Sequence, residues 1–145
     1  MAGFVILIMI AVMGGIAVVL QSQFVGLLDQ GIGSMESVFI TYIGGALLIG
    51  LIMLLLRGGN LGAWQNVPWY ALTAGVMGLV IIGTLSYSVP RLGLVTAFTV
   101  IVATQFIGGA LVDHFGMFGA EVRPLDWSRL VGILVLLAGV WLIIK

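Results

Sequence analysis

A chain of 145 residues that is 62% hydrophobic and only 7% charged cannot clothe a water-soluble domain in polar surface, so the solvent for most of it is lipid. The formal net charge is zero with no basic run, which excludes nucleic acid as a partner, and the absence of cysteine removes disulfides, thiolate metal sites and cysteine nucleophiles. The length suits one domain, 1–145, with no room for a soluble catalytic module between the apolar stretches.

A helix that crosses a hydrocarbon core roughly 30 Å thick, rising about 1.5 Å per residue, needs about 20 mostly apolar residues. Charge-poor runs of that kind predict an all-α integral membrane fold of five transmembrane helices, at about 4–28, 35–56, 69–89, 92–113 and 128–144. Four spans is the alternative, because the last run is short unless Arg129 and Lys145 snorkel to the headgroups at its two ends. The first run has no basic residue before Phe4, so it is expected to be a span and not a cleaved signal peptide. Ser34 with Glu36 suits the start of the second helix, Asn66 with Pro68 the third and Pro124 with Asp126 the fifth. Pro90 and Arg91 leave almost no loop between spans three and four, which predicts a tight antiparallel hairpin there.

Trp64, Trp69 and Trp127 fall at span starts and Trp141 near the opposite end of the fifth, the pattern of an interfacial aromatic belt. Arg57, Arg123 and Arg129 on the side of the N-terminus face Arg91 and Lys145 on the other, a bias close to nil. Such a chain is expected to insert both ways, or one way beside an oppositely oriented subunit; a single orientation would favour the N-terminus inside.

Glycines recur at helix-packing positions: Gly14 and Gly15, Gly44 and Gly45, Gly75 and Gly78, Gly108 and Gly109. In the fifth span Gly132 and Gly139 lie two turns apart on one face with Leu136 between them, a groove for another helix of the same subunit or of a second one. Polar residues within the spans are few, and each carries a desolvation cost. Gln21 and Gln105 are the leading candidates to line a substrate cavity, because a carboxamide in an apolar setting needs partners for two donors and an acceptor. Thr104, Tyr42 and Tyr87 are the further cavity candidates. The alternative for each glutamine is a hydrogen bond across helices that merely holds them together.

No acidic residue stands in mid-span, so proton coupling has no support from the residues alone. Asp113 and His114 read as an interfacial, solvated pair and Glu36 as a helix-start acid. With one histidine, no cysteine and no serine beside a plausible base, an enzyme is not expected, nor is a metal or other cofactor.

Six stretches carry a resemblance over nearly the whole chain: Val67-Pro-Trp-Tyr-Ala-Leu72, Val89-Pro-Arg-Leu-Gly93, Ala103-Thr-Gln-Phe-Ile107, Leu111-Val-Asp-His-Phe-Gly116, Arg123-Pro-Leu125 and the closing Gly132 to Val140 segment. In these the chain resembles the YdcZ-type inner-membrane exporters, a branch of the drug/metabolite transporter superfamily. The closing segment is also similar to the dimerising fourth helix of the small multidrug resistance proteins, more distant relatives. The resemblance implies a multi-pass protein of the bacterial inner membrane, half of a ten-helix transporter, completed as an antiparallel homodimer or by a homologous partner subunit. It implies a small organic metabolite or drug-like compound as substrate, held near the midplane and moved by alternating access. Members commonly carry an asparagine four residues after the glutamine of the first span; Val25 stands at that place here, leaving Gln23 as the nearest substitute. A non-transporting membrane subunit that stabilises or regulates a partner is the second reading. A passive channel is disfavoured by the want of ring-forming charges.

Overall fold

A computed structural model describes residues 2–56 and 58–145; Arg57, one of the basic residues weighed for orientation, lies outside the described residues. Among the described residues five α-helices follow one another: α1 Ala2–Ile32, α2 Ser34–Leu55, α3 Ala74–Leu92, α4 Leu94–Phe115 and α5 Trp127–Ile144. Turns of 3-10 helix at Leu61–Asn66 and Trp69–Thr73 lead into α3, and a short one at Met117–Gly119 follows α4. Among the described residues five segments are long and apolar enough to cross a membrane, so the fold is all-α and multi-pass. The last, 18 residues, spans about 27 Å at 1.5 Å per residue, enough for a hydrocarbon core with snorkelling ends.

The ends of α1 and α3 lie beyond those expected. Helix α1 continues past position 28 through Asp29 to Ile32, because the Asp29 carboxylate is satisfied where it stands. It ends at Gly33, whose φ of +104° is cheap only without a side chain. Helix α3 runs through Pro90 and Arg91 to Leu92, so the break expected at those two residues falls instead at Gly93, with φ +82°. Pro90 is tolerated in the final turn, where the Arg91 guanidinium donates to the Tyr87 carbonyl at 2.6 Å. Of the expected helix starts, Asp126 caps α5 by accepting the Arg129 N–H at 2.8 Å. Ser34 does not cap α2: it is the first helical residue, and its hydroxyl donates to the Asp29 carboxylate. No side chain caps the turns around Asn66 and Pro68.

The chain divides into two compact units, 1–91 and 92–145. In the first, Ser22, Val25, Gly26 and Asp29 form a seam along one face of α1, at spacings of three and four residues. The Val25 carbonyl accepts the hydroxyls of Ser37, at 2.9 Å, and Ser86, at 3.4 Å, so α2 and α3 are tied to the same atom of α1. All three participants are sealed from solvent, as is Ser22, which back-bonds to the Val18 carbonyl at 2.7 Å. Ile82, Leu85 and Val89 complete this core, and a side chain on Gly26 would press on Val89 at 3.3 Å. Small residues are what let the backbones meet so closely in lipid, where packing and hydrogen bonds replace the hydrophobic effect. Toward the other end of the unit, α1 from Gly3 to Gln21 and α2 from Ile43 to Ile49 are exposed along their whole faces.

In the second unit α4 packs on α5, and the connecting segment folds back onto the end of α4. The Arg123 N–H donates to the Asp113 carbonyl at 2.8 Å, and the Leu125 N–H donates to His114 Nδ1 at 3.1 Å. His114 is half-buried and accepts a backbone N–H on its ring.

Candidate substrate grooves

Each unit has a groove. That of the first unit holds about 480 Å³ and is lined by Gln21 of α1, Thr41, Tyr42, Gly45 and Ala46 of α2, and Gly78, Ile81 and Ile82 of α3. Two of the expected cavity residues, Gln21 and Tyr42, thus line the same groove. The Tyr42 phenol lies against the backbone of Gly78, a position that must lack a side chain for the ring to sit there. Thr41 donates to the Ser37 carbonyl at 2.8 Å, satisfying its hydroxyl within its own helix. The Gln21 carboxamide forms no hydrogen bond among the described residues. Gln21, Tyr42 and Gly78 all lie in the middle third of spans 3–32, 34–55 and 69–92, so the exposed carboxamide of Gln21 is placed at bilayer depth.

The groove of the second unit holds about 580 Å³ between α4 and α5. Gln105, Phe106, Gly109, Ala110 and Asp113 line it from α4, and Arg129, Gly132, Ile133 and Leu136 from α5. Gln105 stands halfway along the span 94–115 and, like Gln21, makes no hydrogen bond among the described residues. It shares the groove with Gly132 and Leu136, two of the residues expected to pack against another helix. Gly139, the third, does not line it, and a side chain there would meet no atom within 4 Å.

Thr104 and Tyr87 line neither groove. Thr104 bonds back to the Val100 carbonyl at 2.9 Å, and Tyr87 lies beneath the Arg91 guanidinium, 3.7 Å from its ring centre. Val25, at the place where the resemblance leads to an asparagine, is 1% exposed and turned into the three-helix core. Asp113 and Arg129 were not anticipated as groove residues. Their signal was the helical spacing itself, 105, 109 and 113 on one helix and 129, 132, 133 and 136 on the other. Just beyond the mouth, Arg123 bonds Glu121 at 2.8 Å, which holds the Glu121 carboxyl below its ordinary range and the guanidinium above its own. Asp126 is likewise held low, chiefly by the Arg129 N–H it accepts.

The family described as "Putative inner membrane exporter, YdcZ" matches residues 6–142. The chain is 30% identical over 81 residues to the "Inner membrane protein YdcZ" of Escherichia coli (strain K12), a match covering 56% of this chain and 54%, about half, of that relative. No solved structure matches. With five apolar helices and a family match from near one end to the other, the chain belongs to the YdcZ family and is a multi-pass inner-membrane protein.

Proposed function

We propose that the chain is one half of a membrane transporter of the drug/metabolite type. It moves a small organic compound across the inner membrane by alternating access, paired with an inverted second copy or a homologous subunit. One observation carries the reading: Gln21 and Gln105 stand at mid-membrane depth without a hydrogen bond among the described residues, each in a groove whose floor is otherwise mostly apolar. A carboxamide without a partner in its own unit has both donors and its acceptor available to a solute. Tyr42 widens the polar side of the first groove, and the family's description as an exporter agrees with passage of a solute.

Pairing is supported by the glycines. A side chain at Gly14, Gly15, Gly44, Gly75 or Gly139, which lie outside both grooves, would meet no described atom within 4 Å beyond its own stretch of helix, so the close approach that glycines permit is left for a further helix. Gly139 of α5, which lies outside the α4–α5 groove, marks the proposed seam.

The test is flux in proteoliposomes holding the purified chain, with a panel of cationic, anionic and zwitterionic small solutes. Saturable flux of at least one of them, lost in the Gln21→Ala/Gln105→Ala variant, is expected. Flux unchanged by the double substitution sinks the site assignment. Absence of flux for the whole panel, with an unrelated complex retained on the purified chain, favours the reading as a subunit that supports a partner.

A further inference from the structure

The α4–α5 groove carries two opposite charges that do not pair with each other. Asp113 and Arg129 both line it, whereas the ion pairs among the described residues are Asp29 with Arg91 and Glu121 with Arg123. Asp113 receives the Arg123 N–H on its carbonyl, and its carboxylate acts on the Arg123 guanidinium only through space, without an ion pair. Arg129 gives its main-chain N–H to Asp126, whose carboxylate its side-chain charge also attracts, and its guanidinium donates to the Arg123 carbonyl at 3.4 Å. Asp126 and the Glu121–Arg123 pair are the other charges at this mouth, and both have partners. From the mouth the groove descends over Gly109, Gly132 and Ile133 to Gln105 at half depth, eight residues of helix or about 12 Å.

Building on the transport reading, we propose that this groove takes a small zwitterion with an apolar body. Its ammonium sits on the Asp113 carboxylate, its acid group on the Arg129 guanidinium, and its hydrocarbon or aromatic body over Gly109, Gly132 and Ile133. A ligand with one charge leaves either Asp113 or Arg129 facing a like charge, or unpaired beside an apolar wall; a zwitterion does neither. The amine-headed phospholipids of the bilayer carry the same two charges. They are the poorer fit, because their acyl chains would run across the Gln105 carboxamide, whereas a small molecule ends there. The volume, about 580 Å³, lies within the roughly 300–1,000 Å³ of small-molecule sites.

The experiment measures equilibrium binding of L-phenylalanine, phenethylamine and 3-phenylpropionate to the full chain in nanodiscs. These three share one body and carry both charges, the ammonium alone or the carboxylate alone. Phenylalanine is expected to bind on the order of ten-fold more tightly than either analogue. Asp113→Asn should abolish its advantage over 3-phenylpropionate, Arg129→Gln its advantage over phenethylamine, and Arg129→Lys should retain part of it. Ile133→Trp, which fills the groove without touching a charge, should lose all three, and each variant is compared at equal helicity and elution volume.

Absence of phenylalanine binding, equal binding of a singly charged analogue, or an unchanged ranking in both charge variants would overturn the proposal. So would phenylalanine binding in nanodiscs of phosphatidylglycerol that phosphatidylethanolamine abolishes, since the site would then be a lipid's. Saturable flux of other solutes without phenylalanine binding sinks this proposal and leaves the transport reading standing. Phenylalanine binding without flux of any solute does the reverse.

Discussion

Asp29 and Arg91, 62 residues apart in the chain, meet at 3.1 Å, and the same carboxylate receives the hydroxyl of Ser34. One side chain thereby ties α1, α2 and α3 together at one end of the first unit, a turn beyond the point where the Val25 carbonyl ties them again. Asp29→Asn and Arg91→Gln are each expected to lower the melting temperature in detergent. The double variant should melt no lower than the worse single one, because either change already breaks the pair. Losses that simply add would mean that the two side chains act independently.

Gly78→Ala should push the Tyr42 hydroxyl out of the first groove, since the new methyl group takes the space the phenol occupies. The far end of a flexible side chain can yield, so the cost in stability is expected to stay below about 1–3 kcal/mol, the usual range of overpacking. The cost in flux should be large. Tyr42→Phe removes the crowded oxygen, and the Gly78→Ala/Tyr42→Phe variant should therefore match Tyr42→Phe alone in transport. A double variant that is worse than both singles would place the effect of Gly78 elsewhere.

Much of this arrangement was legible in the residues. Hydropathy located all five spans, because between them the chain must pass through polar headgroups and the breaks gather Pro, Gly and charge. It misplaced the ends wherever a charged or cyclic residue was satisfied inside a helix. Asp29 looks like a boundary until Arg91 and Ser34 are seen beside it, and Pro90 looks like a break although Gly93 makes it. Gln21, Tyr42 and Gln105 stand out for their chemistry, and Gly132 and Leu136 for their spacing on one helix face. Which of them share a groove depends on helix rotation, which composition does not encode. Thr104 and Tyr87 are polar for local reasons, one bonding back to its own helix and the other lying under Arg91.

The start of α5 should respond to acid. Asp126 accepts the Arg129 N–H, and its carboxyl is held below the ordinary range by that bond. A depressed folded-state value means that the cap is fully present above about pH 4, the ordinary carboxylate range, and is lost as pH falls through the lowered value. Amide hydrogen exchange over residues 127–133 should therefore be slow and flat near neutrality and gain relative to mid-helix amides below about pH 4. Asp126→Asn, which still caps but does not titrate, should abolish that acid dependence. The same acid response in the variant would contradict the assignment.

Gly139→Leu should weaken pairing of two copies. The position is open within the chain, so a leucine there does not disturb its own fold, while it would hold a second helix away from the seam. Chemical cross-linking in membranes is expected to give much less dimer than the parent chain at equal expression. Equal yields would remove α5 from the interface.

The account rests on Gln21 and Gln105 facing a path that solute and water can reach, not acyl chains. The chain has no cysteine, so each introduced thiol is the only one present. Rates of reaction with a small water-soluble methanethiosulfonate are to be measured for Gln21→Cys, Gln105→Cys and Leu48→Cys, the last an exposed apolar residue of α2. Thiols at the two glutamine positions should react on the order of ten-fold faster than at Leu48, because only a hydrated thiol ionises to the reactive thiolate. If all three react equally slowly, the glutamines face lipid and the transport reading falls.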